Sequence, residues 1–381
     1  MDKVDFALNE DQEMFQTSTR QYLKSKGGLE IPRRYMDGEV NILQDMWHGL
    51  AQQGYLGVNV SESYGGLGQG SLSLVPILEE MGRAIIPGPY PETMAVAVPL
   101  LEAYGTDEQK EKYLPEIVDG KRKLTLALHE LNGEIAPANI QLTASEGDGD
   151  YTLNGTKILI PHGDVADTLI VPVRTGGIHS EYGISLLLVD REDANVKIQE
   201  QQSLEQTRKI VRIAFEETKV AKQQLLGPKH AGWGALQFAI NDLHVALCSM
   251  MVGGIDRVVE MANEYGQTRM QFGQPIGRFQ SIKHRIVDMR MDLESSRSLT
   301  YYAAWALENN ADDMVEAIAL ARSFTSEAFV RTASDNVQIH GGMGFTWEFD
   351  CHLFLKRARA LENYLGSSDD CLEIAAGELG W

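Results

Sequence analysis

The sequence predicts a mainly α-helical fold that is interrupted by a β-sheet insert. Apolar residues recur at helical spacing through the first third of the chain and again after Gly227-Pro228. From Leu124 to about Leu226 they instead form short runs separated by turn residues, which is typical of strands. We therefore predict an N-terminal helical domain over 1–121, a middle antiparallel β-domain over 122–228 and a C-terminal four-helix bundle over 229–381.

The charge balance excludes two classes of partner. The chain has 381 residues, and its 34 basic and 54 acidic residues give a net charge of −20. This negative field repels nucleic acid and anionic membrane surfaces, so we predict neither as a partner. The first residues lack the apolar run of a signal peptide. Three cysteines without a CxxC pair and scattered histidines predict a reduced, cytoplasmic protein without a metal site.

Capping and turn residues mark the predicted elements. Asn9 with Gln12 forms a capping-box pattern for the first helix, and Thr106-Asp107-Glu108-Gln109 begins another helix of the first domain. A glycine-rich stretch over 64–70 follows no strand, so we expect a tight turn there rather than a phosphate-binding loop. In the β-insert, Asn154-Gly155 between two apolar runs is the strongest hairpin signal. A further predicted helix of the first domain covers about 42–53. The predicted helices of the last domain cover about 232–269, 281–307 and 312–340, with a fourth region after Glu348.

The segment from Arg269 to Gln280 joins two of these long helices and concentrates functional side chains. Arg269, Gln271, Phe272, Phe279 and Gln280 lie around glycine and proline turn residues. A forked cation, rings and amides on a turn suit a phosphate-bearing aromatic ligand. The alternative is an ordinary helix–helix turn with both phenylalanines in the core, and composition alone leaves both open.

Several motifs resemble those of the acyl-CoA dehydrogenase family. Leu153-Asn154-Gly155-Thr156-Lys157 and Gly163-Asp164-Val165-Ala166-Asp167 resemble two elements of that family's β-domain. Arg269-Met270-Gln271-Phe272-Gly273 through Phe279-Gln280 resembles its R-x-Q-F-G…F-Q segment, and Gln338–Gly344 resembles its Q-x-x-G-G-x-G element. The likeness covers nearly the whole chain and has the same domain order.

The resemblance implies a flavin cofactor that is shared between subunits. In the family, the two C-terminal motifs contact the pyrophosphate and adenosine end of the FAD of a neighbouring subunit. The positions that match here are Arg269, Gln271, Phe272, Phe279, Gln280, Gln338, Gly341 and Gly342. Glycines there would let the backbone approach the pyrophosphate, and Arg269 would supply charge-assisted hydrogen bonds.

The residues that match the family's reacting centre differ from its pattern. In the family a carboxylate removes the α-proton of an acyl-CoA while the β-hydride passes to the flavin. Its two usual base positions match Leu365 and Leu243, and neither leucine can accept a proton. Asp242 is one residue away on the helix, which rotates it by about 100°. Asp369 and Asp370 are the other nearby carboxylates, and both positions also suit a solvated helix N-terminus.

The flavin-facing positions of the β-domain differ as well. His129 stands where the family has a threonine that bonds the flavin ring edge, and Ile135 replaces a serine near the CoA arm. Leu159 replaces the stacking tryptophan, and Pro161 replaces a hydroxyl residue near flavin N5. Only Glu130 of the family's loop motif is retained. His129 is either a substitute flavin contact or a histidine of the β-domain interior.

Two hypotheses follow from this asymmetry. The first is an FAD-dependent acyl-CoA dehydrogenase that works as a homo- or hetero-oligomer, takes an acyl-CoA substrate and passes electrons to an electron-transfer acceptor. The second is a catalytically silent subunit that completes the FAD site of a paralogous chain, as in the small subunits of paired bacterial acyl-CoA dehydrogenases. Both predict a large helical interface between subunits.

Overall fold

The computed structural model describes residues 8–177, 180–192 and 195–381. Helices form most of the first 121 residues and nearly all of the chain after residue 231, and strands fill the region between, as the sequence predicts. The helices are α1 (Glu10–Ser25), α2 (Glu30–Met36), α3 (Asn41–Gln52), α4 (Ser71–Arg83), α5 (Tyr90–Glu92), α6 (Val98–Tyr104), α7 (Asp107–Val118), α8 (Gly232–Thr268), α9 (Gln280–Glu308), α10 (Met314–His340), α11 (Cys351–Glu362) and α12 (Ser368–Glu378).

One large mixed sheet forms the β-rich part of the chain. Its strands are β1 (Leu124–Leu126), β2 (Thr143–Glu146), β3 (Asp150–Pro161), β4 (Thr168–Arg174), β5 (Ile184–Asp190), β6 (Val196–Gln201), β7 (Ile210–Ala221) and β8 (Leu225–Leu226). Their order in the sheet is β6-β7-β3-β2-β4-β5-β8, with β1 also paired to β4. The pairings are mainly antiparallel, as predicted, but β1 and β2 run parallel to β4 because neither is joined to β4 by a tight turn.

The prediction of a β-hairpin at Asn154-Gly155 is wrong. Strand β3 continues through this dipeptide and pairs with β7 along its length, with a bulge between Leu153 and Gly155. The Asn154 side chain accepts a hydrogen bond from the Glu217 N–H of β7, and Gly155 has a φ of +146°. A Cβ atom on Gly155 would lie 3.0 Å from Leu142. The pair therefore forms a bulge beside a neighbouring strand instead of a turn.

The described residues form two compact units, and the first is helical. It contains the residues up to Gly38, Ser71–Ile86 and His244–Trp381, and α10 packs against α9, α11 and α12 within it. The capping box predicted at Asn9 is confirmed for α1, and the helix start predicted at Thr106 is confirmed for α7 in the other unit, where Thr106 and Gln109 also form a capping box. Helix α2 was not predicted, since it has only seven residues, contains Pro32 and has no side-chain N-cap.

The second unit contains Glu39–Gly70 and Pro87–Leu243. Its sheet core consists of apolar residues that face inward from the strands, including Leu153, Val171, Leu187 and Phe215. The glycine-rich stretch 64–70 forms the expected tight turn, because a Cβ atom on Gly66 would lie 2.0 Å from the Val60 carbonyl oxygen. The predicted domain boundaries at 121/122 and 228/229 stay a prediction.

The chain after Glu348 forms two short helices, whereas the sequence predicted a single helical region there. Helices α11 and α12 are separated by Leu365 and Gly366, whose φ angles are +67° and +108°. Such left-handed backbone cannot continue a helix. Five helices, α8 to α12, therefore follow the sheet. One 18-residue window of α8 is apolar enough to cross a membrane, but 83% of it is buried inside the fold, as in a core helix.

Helices α4 and α8 of the first unit lie so close together that their backbones are in contact. A Cβ atom on Gly253 of α8 would lie 1.8 Å from the Glu79 carbonyl oxygen, and one on Gly82 would lie 1.9 Å from that of Met250. Beside this contact, Glu79 is buried and its carboxylate lies 3.5 Å from the Arg297 guanidinium. Burial raises the pKa of Glu79 to about 7, and the Arg297 charge opposes that rise.

We predict that Gly253→Ala lowers the free energy of unfolding by about 1–3 kcal/mol, because the added methyl group must push the two helices apart. Gly234→Ala on the same helix is the matched control, since a Cβ atom there meets nothing within 4 Å. Gly234→Ala should raise the free energy of unfolding by up to about 1 kcal/mol, because alanine favours a helix more than glycine does. Thermal denaturation of both variants tests the contact, and equal melting temperatures would contradict it.

Candidate functional site

The Arg269–Gln280 segment joins two long helices, as predicted from its turn residues, and the structure shows that it contains a small β-hairpin. Helix α8 ends at Thr268, and Met270–Gln271 (β9) pairs with Gln274–Pro275 (β10) in antiparallel register. Phe272 and Gly273 form the connecting turn with φ angles of +51° and +77°. Positive φ at both positions is the geometry of a tight two-residue hairpin. The hairpin therefore projects a phenylalanine at its tip.

The two phenylalanines of this segment lie in different environments. The Phe272 side chain is 90% exposed, whereas Phe279 is only partly exposed. Their rings meet edge to face, with centroids 6.0 Å apart. The alternative in which both rings lie in the core is therefore wrong for Phe272. An aromatic side chain so exposed on a two-residue turn is available to another molecule.

The polar side chains of the predicted site are also exposed. Arg269, Gln271, Gln280 and Gln338 all point to solvent. Within residues 8–177, 180–192 and 195–381, no carboxylate forms an ion pair with Arg269. The chain has 54 acidic residues, and Arg285 and Arg290 of the following helix are both paired with carboxylates. Arg269 is thus available to an anionic ligand.

A ring contact brings the hairpin to the glycine-rich turn after α10. Tyr265, one helical turn before Arg269, stacks on His340 with ring centroids 4.1 Å apart. The Arg269 N–H donates to the Tyr265 carbonyl oxygen at 2.9 Å, and His340 immediately precedes Gly341. The two motifs that sequence analysis selected, about 70 residues apart along the chain, are therefore neighbours in the first unit.

The turn after α10 needs glycine. Gly341 has φ +59° and ψ −138°, a backbone region that is open almost only to glycine. A Cβ atom on Gly344 would lie 2.6 Å from the Val337 carbonyl oxygen, whereas Gly341 and Gly342 face open space. The His340 ring nitrogen Nδ1 lies 2.8 Å from the Asn336 carbonyl oxygen, so the ring donates there. Burial lowers the pKa of His340 and keeps it neutral.

The positions of the β-sheet unit that match the family's flavin-facing residues have few polar side chains. His129 is buried, and burial, with Lys157 and Arg208 nearby, lowers its pKa, so the ring is neutral at pH 7. Leu159 is 39% exposed with φ +52°, and its N–H donates to the Gln201 side-chain oxygen at 2.8 Å. The Pro161 carbonyl accepts from the Thr125 hydroxyl at 2.7 Å. Whether His129 contacts a flavin stays a prediction.

A buried ion pair positions the loop that carries His129. The Lys157 ammonium lies 2.7 Å from the Glu130 carboxylate and also donates to the Leu128 carbonyl at 3.2 Å. Glu130 in turn accepts hydrogen bonds from the N–H groups of Gln141 and Leu142. Burial lowers the pKa of Lys157, and the Glu130 charge opposes that shift. The retained glutamate therefore has a structural role here.

Both positions that match the family's base are buried leucines. Leu243 of α8 is fully buried, and Leu365 is 5% exposed on the left-handed elbow between α11 and α12. Arg322 holds this elbow, because its guanidinium donates to the carbonyls of Leu361 at 2.5 Å and Tyr364 at 2.8 Å. Sequence analysis missed Arg322, since nothing in the local pattern of α10 distinguishes it from a surface arginine.

The carboxylates close to Leu365 in sequence, Asp369 and Asp370, lie at the N-terminus of α12. Asp370 accepts hydrogen bonds from the Ser367 N–H and hydroxyl, both at 2.8 Å, and so forms a capping box at the start of α12. These bonds lower its pKa. Asp369 is exposed in the same turn, and Asp242 is buried on α8. The structure thus gives the two aspartates of α12 the helix N-terminal role that the sequence allowed.

Cavities in the first unit are lined by ion pairs. Two of them, of about 450 and 510 Å³, share Arg20, Arg83 and Glu260. Arg83 lies 2.6 Å from Asp256, and Arg20 lies 2.6 Å from Glu80, so these charges neutralise one another. We assign no ligand to these cavities. In the described part of the chain, no group of three potential metal ligands comes together.

We predict that Lys157→Met lowers the free energy of unfolding by about 3–5 kcal/mol, because it leaves the Glu130 carboxylate buried without its cation. Lys219→Met is the matched control in the neighbouring strand. Its ammonium lies 3.3 Å from Asp150 in an exposed pair, which contributes at most about 1 kcal/mol. Urea denaturation of the two variants makes the comparison, and a small, equal loss in both would refute the structural role of Glu130.

Comparison with known proteins matches all three parts of the chain. Family models described as the N-terminal, middle and C-terminal domains of acyl-CoA dehydrogenase match residues 9–121, 125–216 and 230–379. A short-chain-specific acyl-CoA dehydrogenase of Megasphaera elsdenii is 27% identical over 99% of this chain and 100% of its own length. The caffeyl-CoA reductase–Etf complex subunit CarC of Acetobacterium woodii is 29% identical over 88% and 89%. A solved FAD complex of PigA covers 99% of both chains with a TM-score of 0.91 and 27% identity. The chain belongs to the acyl-CoA dehydrogenase family.

Proposed function

We propose that this protein is an FAD-dependent acyl-CoA dehydrogenase that desaturates the α,β bond of an acyl-CoA thioester. The observation that carries the proposal is the Tyr265–His340 stack, which places the hairpin and the glycine turn side by side. When bound, FAD supplies the acceptor for the hydride that leaves the β-carbon. The chain's own contribution is to bind and orient the reactants.

The first unit offers the groups that an ADP moiety requires. The Arg269 guanidinium donates charge-assisted hydrogen bonds to a pyrophosphate, and the amides of Gln271, Gln280 and Gln338 supply further donors. Gly341 and Gly342 leave space for the phosphates to approach the backbone, since Cβ atoms there would meet nothing within 4 Å. The residues present therefore fit the ADP half of FAD.

The exposed hairpin tip supports an oligomer. Phe272 is 90% exposed beside a ligand surface, and an assembly with a second acyl-CoA dehydrogenase-like chain covers that ring. The name of the Acetobacterium woodii relative includes an Etf complex. We extend this to the present chain and propose an electron-transfer flavoprotein as the electron acceptor.

We expect the chain purified alone to carry a stoichiometric flavin absorption band that bleaches when straight-chain acyl-CoA thioesters are added. Arg269→Ala should weaken FAD binding by about 10- to 100-fold, because a charge-assisted bond to phosphate is lost. Arg290→Ala is the matched control, since this exposed arginine of α9 already pairs with Glu294 at 2.5 Å. Colourless protein that becomes yellow and active only with a second, paralogous chain would contradict the proposal.

We predict that flavin reduction by acyl-CoA is slow in the wild type, because neither family base position has a carboxylate. Leu365→Glu should accelerate it by about 100-fold or more, which is the usual contribution of a positioned general base. Leu365→Gln has nearly the same shape without a basic oxygen and is the control. Stopped-flow absorbance measures the rate, and equal rates in the two flavin-loaded variants would exclude position 365 as the base.

A further inference from the structure

A buried glutamate of α4, Glu79, lies where α4 meets α8 and α9 in the first unit. Its side chain is 2% exposed, and its carbonyl oxygen touches the backbone of α8, where a Cβ atom on Gly253 would lie only 1.8 Å away. Arg297 and Tyr301 of α9 are close to its carboxyl group. Because α4 and α8 are in contact at this residue, α4 cannot shift to bring the carboxyl group into solvent unless the two helices separate.

The carboxyl group of Glu79 is poorly compensated for a buried charge. One of its oxygens lies 3.5 Å from the Arg297 guanidinium, which is shared with Glu294 at 4.0 Å. Its other oxygen, Oε1, forms no hydrogen bond within the part of the chain that the structure describes. The adjacent Glu80 differs, because Arg20 donates to both of its oxygens, at 2.8 and 2.6 Å. Of these two buried glutamates, only Glu80 therefore has a closely bound cation.

The charges around Glu79 also favour its neutral form. Burial is the main cause that raises the pKa of Glu79 to about 7, and the nearby carboxylates of Glu80 and Asp256 add to the rise. The Arg297 charge opposes it only in part. Burial, followed by the Glu79 charge, raises the pKa of Tyr301, so its hydroxyl stays protonated and brings no charge of its own. Ionised Glu79 thus faces two like charges and one shared cation.

Solvent protons have a route to this buried group. Arg297 and Tyr301 line a cavity of about 480 Å³, whose other walls include residues of α1 and α8. The Arg297 side chain is 28% exposed there. Arg83 of α4 does not supply a second cation, since it already lies 2.6 Å from Asp256. Glu79 can therefore exchange its proton in the folded protein, and it gains no further compensation when it ionises.

We propose that Glu79 is a proton-dependent lock between α4, α8 and α9, which is tight when its carboxyl group is protonated and loosened when it is ionised. The neutral group needs no cation, whereas the carboxylate is buried with incomplete pairing. Folding raises the pKa of Glu79 from its ordinary value of 4.5 to about 7, so stability should fall as the pH rises between these values and level off above pH 7. The inference does not rest on the proposed function.

Thermal denaturation of the full chain between pH 5 and pH 8.5 tests the lock. Glu79→Gln mimics the protonated form, so at pH 8 it should melt about 2–5 °C above the wild type, and this difference should shrink towards pH 5. Glu80→Gln is the matched control on the same helix. It breaks the pair with Arg20 and should melt below the wild type at both pH values. Glu79→Gln that keeps the wild-type pH dependence, or that also melts below the wild type at pH 8, overturns the inference.

Hydrogen exchange measured by mass spectrometry tests the loosening itself. After correction for the intrinsic effect of pH, amides of α9 around Arg297 should exchange faster at pH 8 than at pH 6 in the wild type, and at equal rates in Glu79→Gln. Arg297→Gln removes the nearest cation and should extend the fall in melting temperature to higher pH. An unchanged pH dependence in Arg297→Gln would show that another group titrates. Because none of these measurements uses flavin or acyl-CoA, their failure leaves the proposed function standing.

Discussion

The proposed ADP surface depends on one contact, the stacking of Tyr265 on His340. Tyr265 is in the last turns of α8, and His340 is the last residue of α10, so the stack joins the ends of two long helices. Everything that follows those ends, the hairpin on one side and the glycine turn on the other, is positioned by it. Both turns are short and mostly exposed, and the stack fixes the position of one relative to the other.

The two halves of the expected cofactor site are built differently in this chain. The ADP half keeps exposed donors, glycine backbone and an arginine that lacks an acidic partner within the described residues. The positions that match the reacting half have a leucine, a proline without an N–H and a buried neutral histidine. In the function that we propose, nucleotide binding and proton removal therefore depend on different residues, and each set can be varied without the other.

Sequence analysis predicted the long elements because their signals are local. Capping boxes at Asn9 and Thr106 place side chains and backbone only three residues apart, and the structure forms both. The hairpin prediction at Asn154-Gly155 was wrong because this dipeptide is compatible with both a hairpin turn and a β-bulge. Which of the two forms depends on contacts with Leu142 and Glu217, which are distant in sequence. Likewise, the Arg33 guanidinium lies 5.6 Å from the Trp347 ring centroid, although the two residues are more than 300 positions apart along the chain.

The backbone at Leu365 is held by contacts that do not involve its side chain. A leucine with φ +67° costs about 1–2 kcal/mol in backbone strain, yet the chain keeps it. Arg322 offsets this cost with two hydrogen bonds to the preceding carbonyls, and the Ser367–Asp370 capping box fixes the following helix. None of these contacts involves the side chain at 365. The backbone geometry of the base position is therefore set by α10 and α12, and it is independent of whether a carboxylate is present.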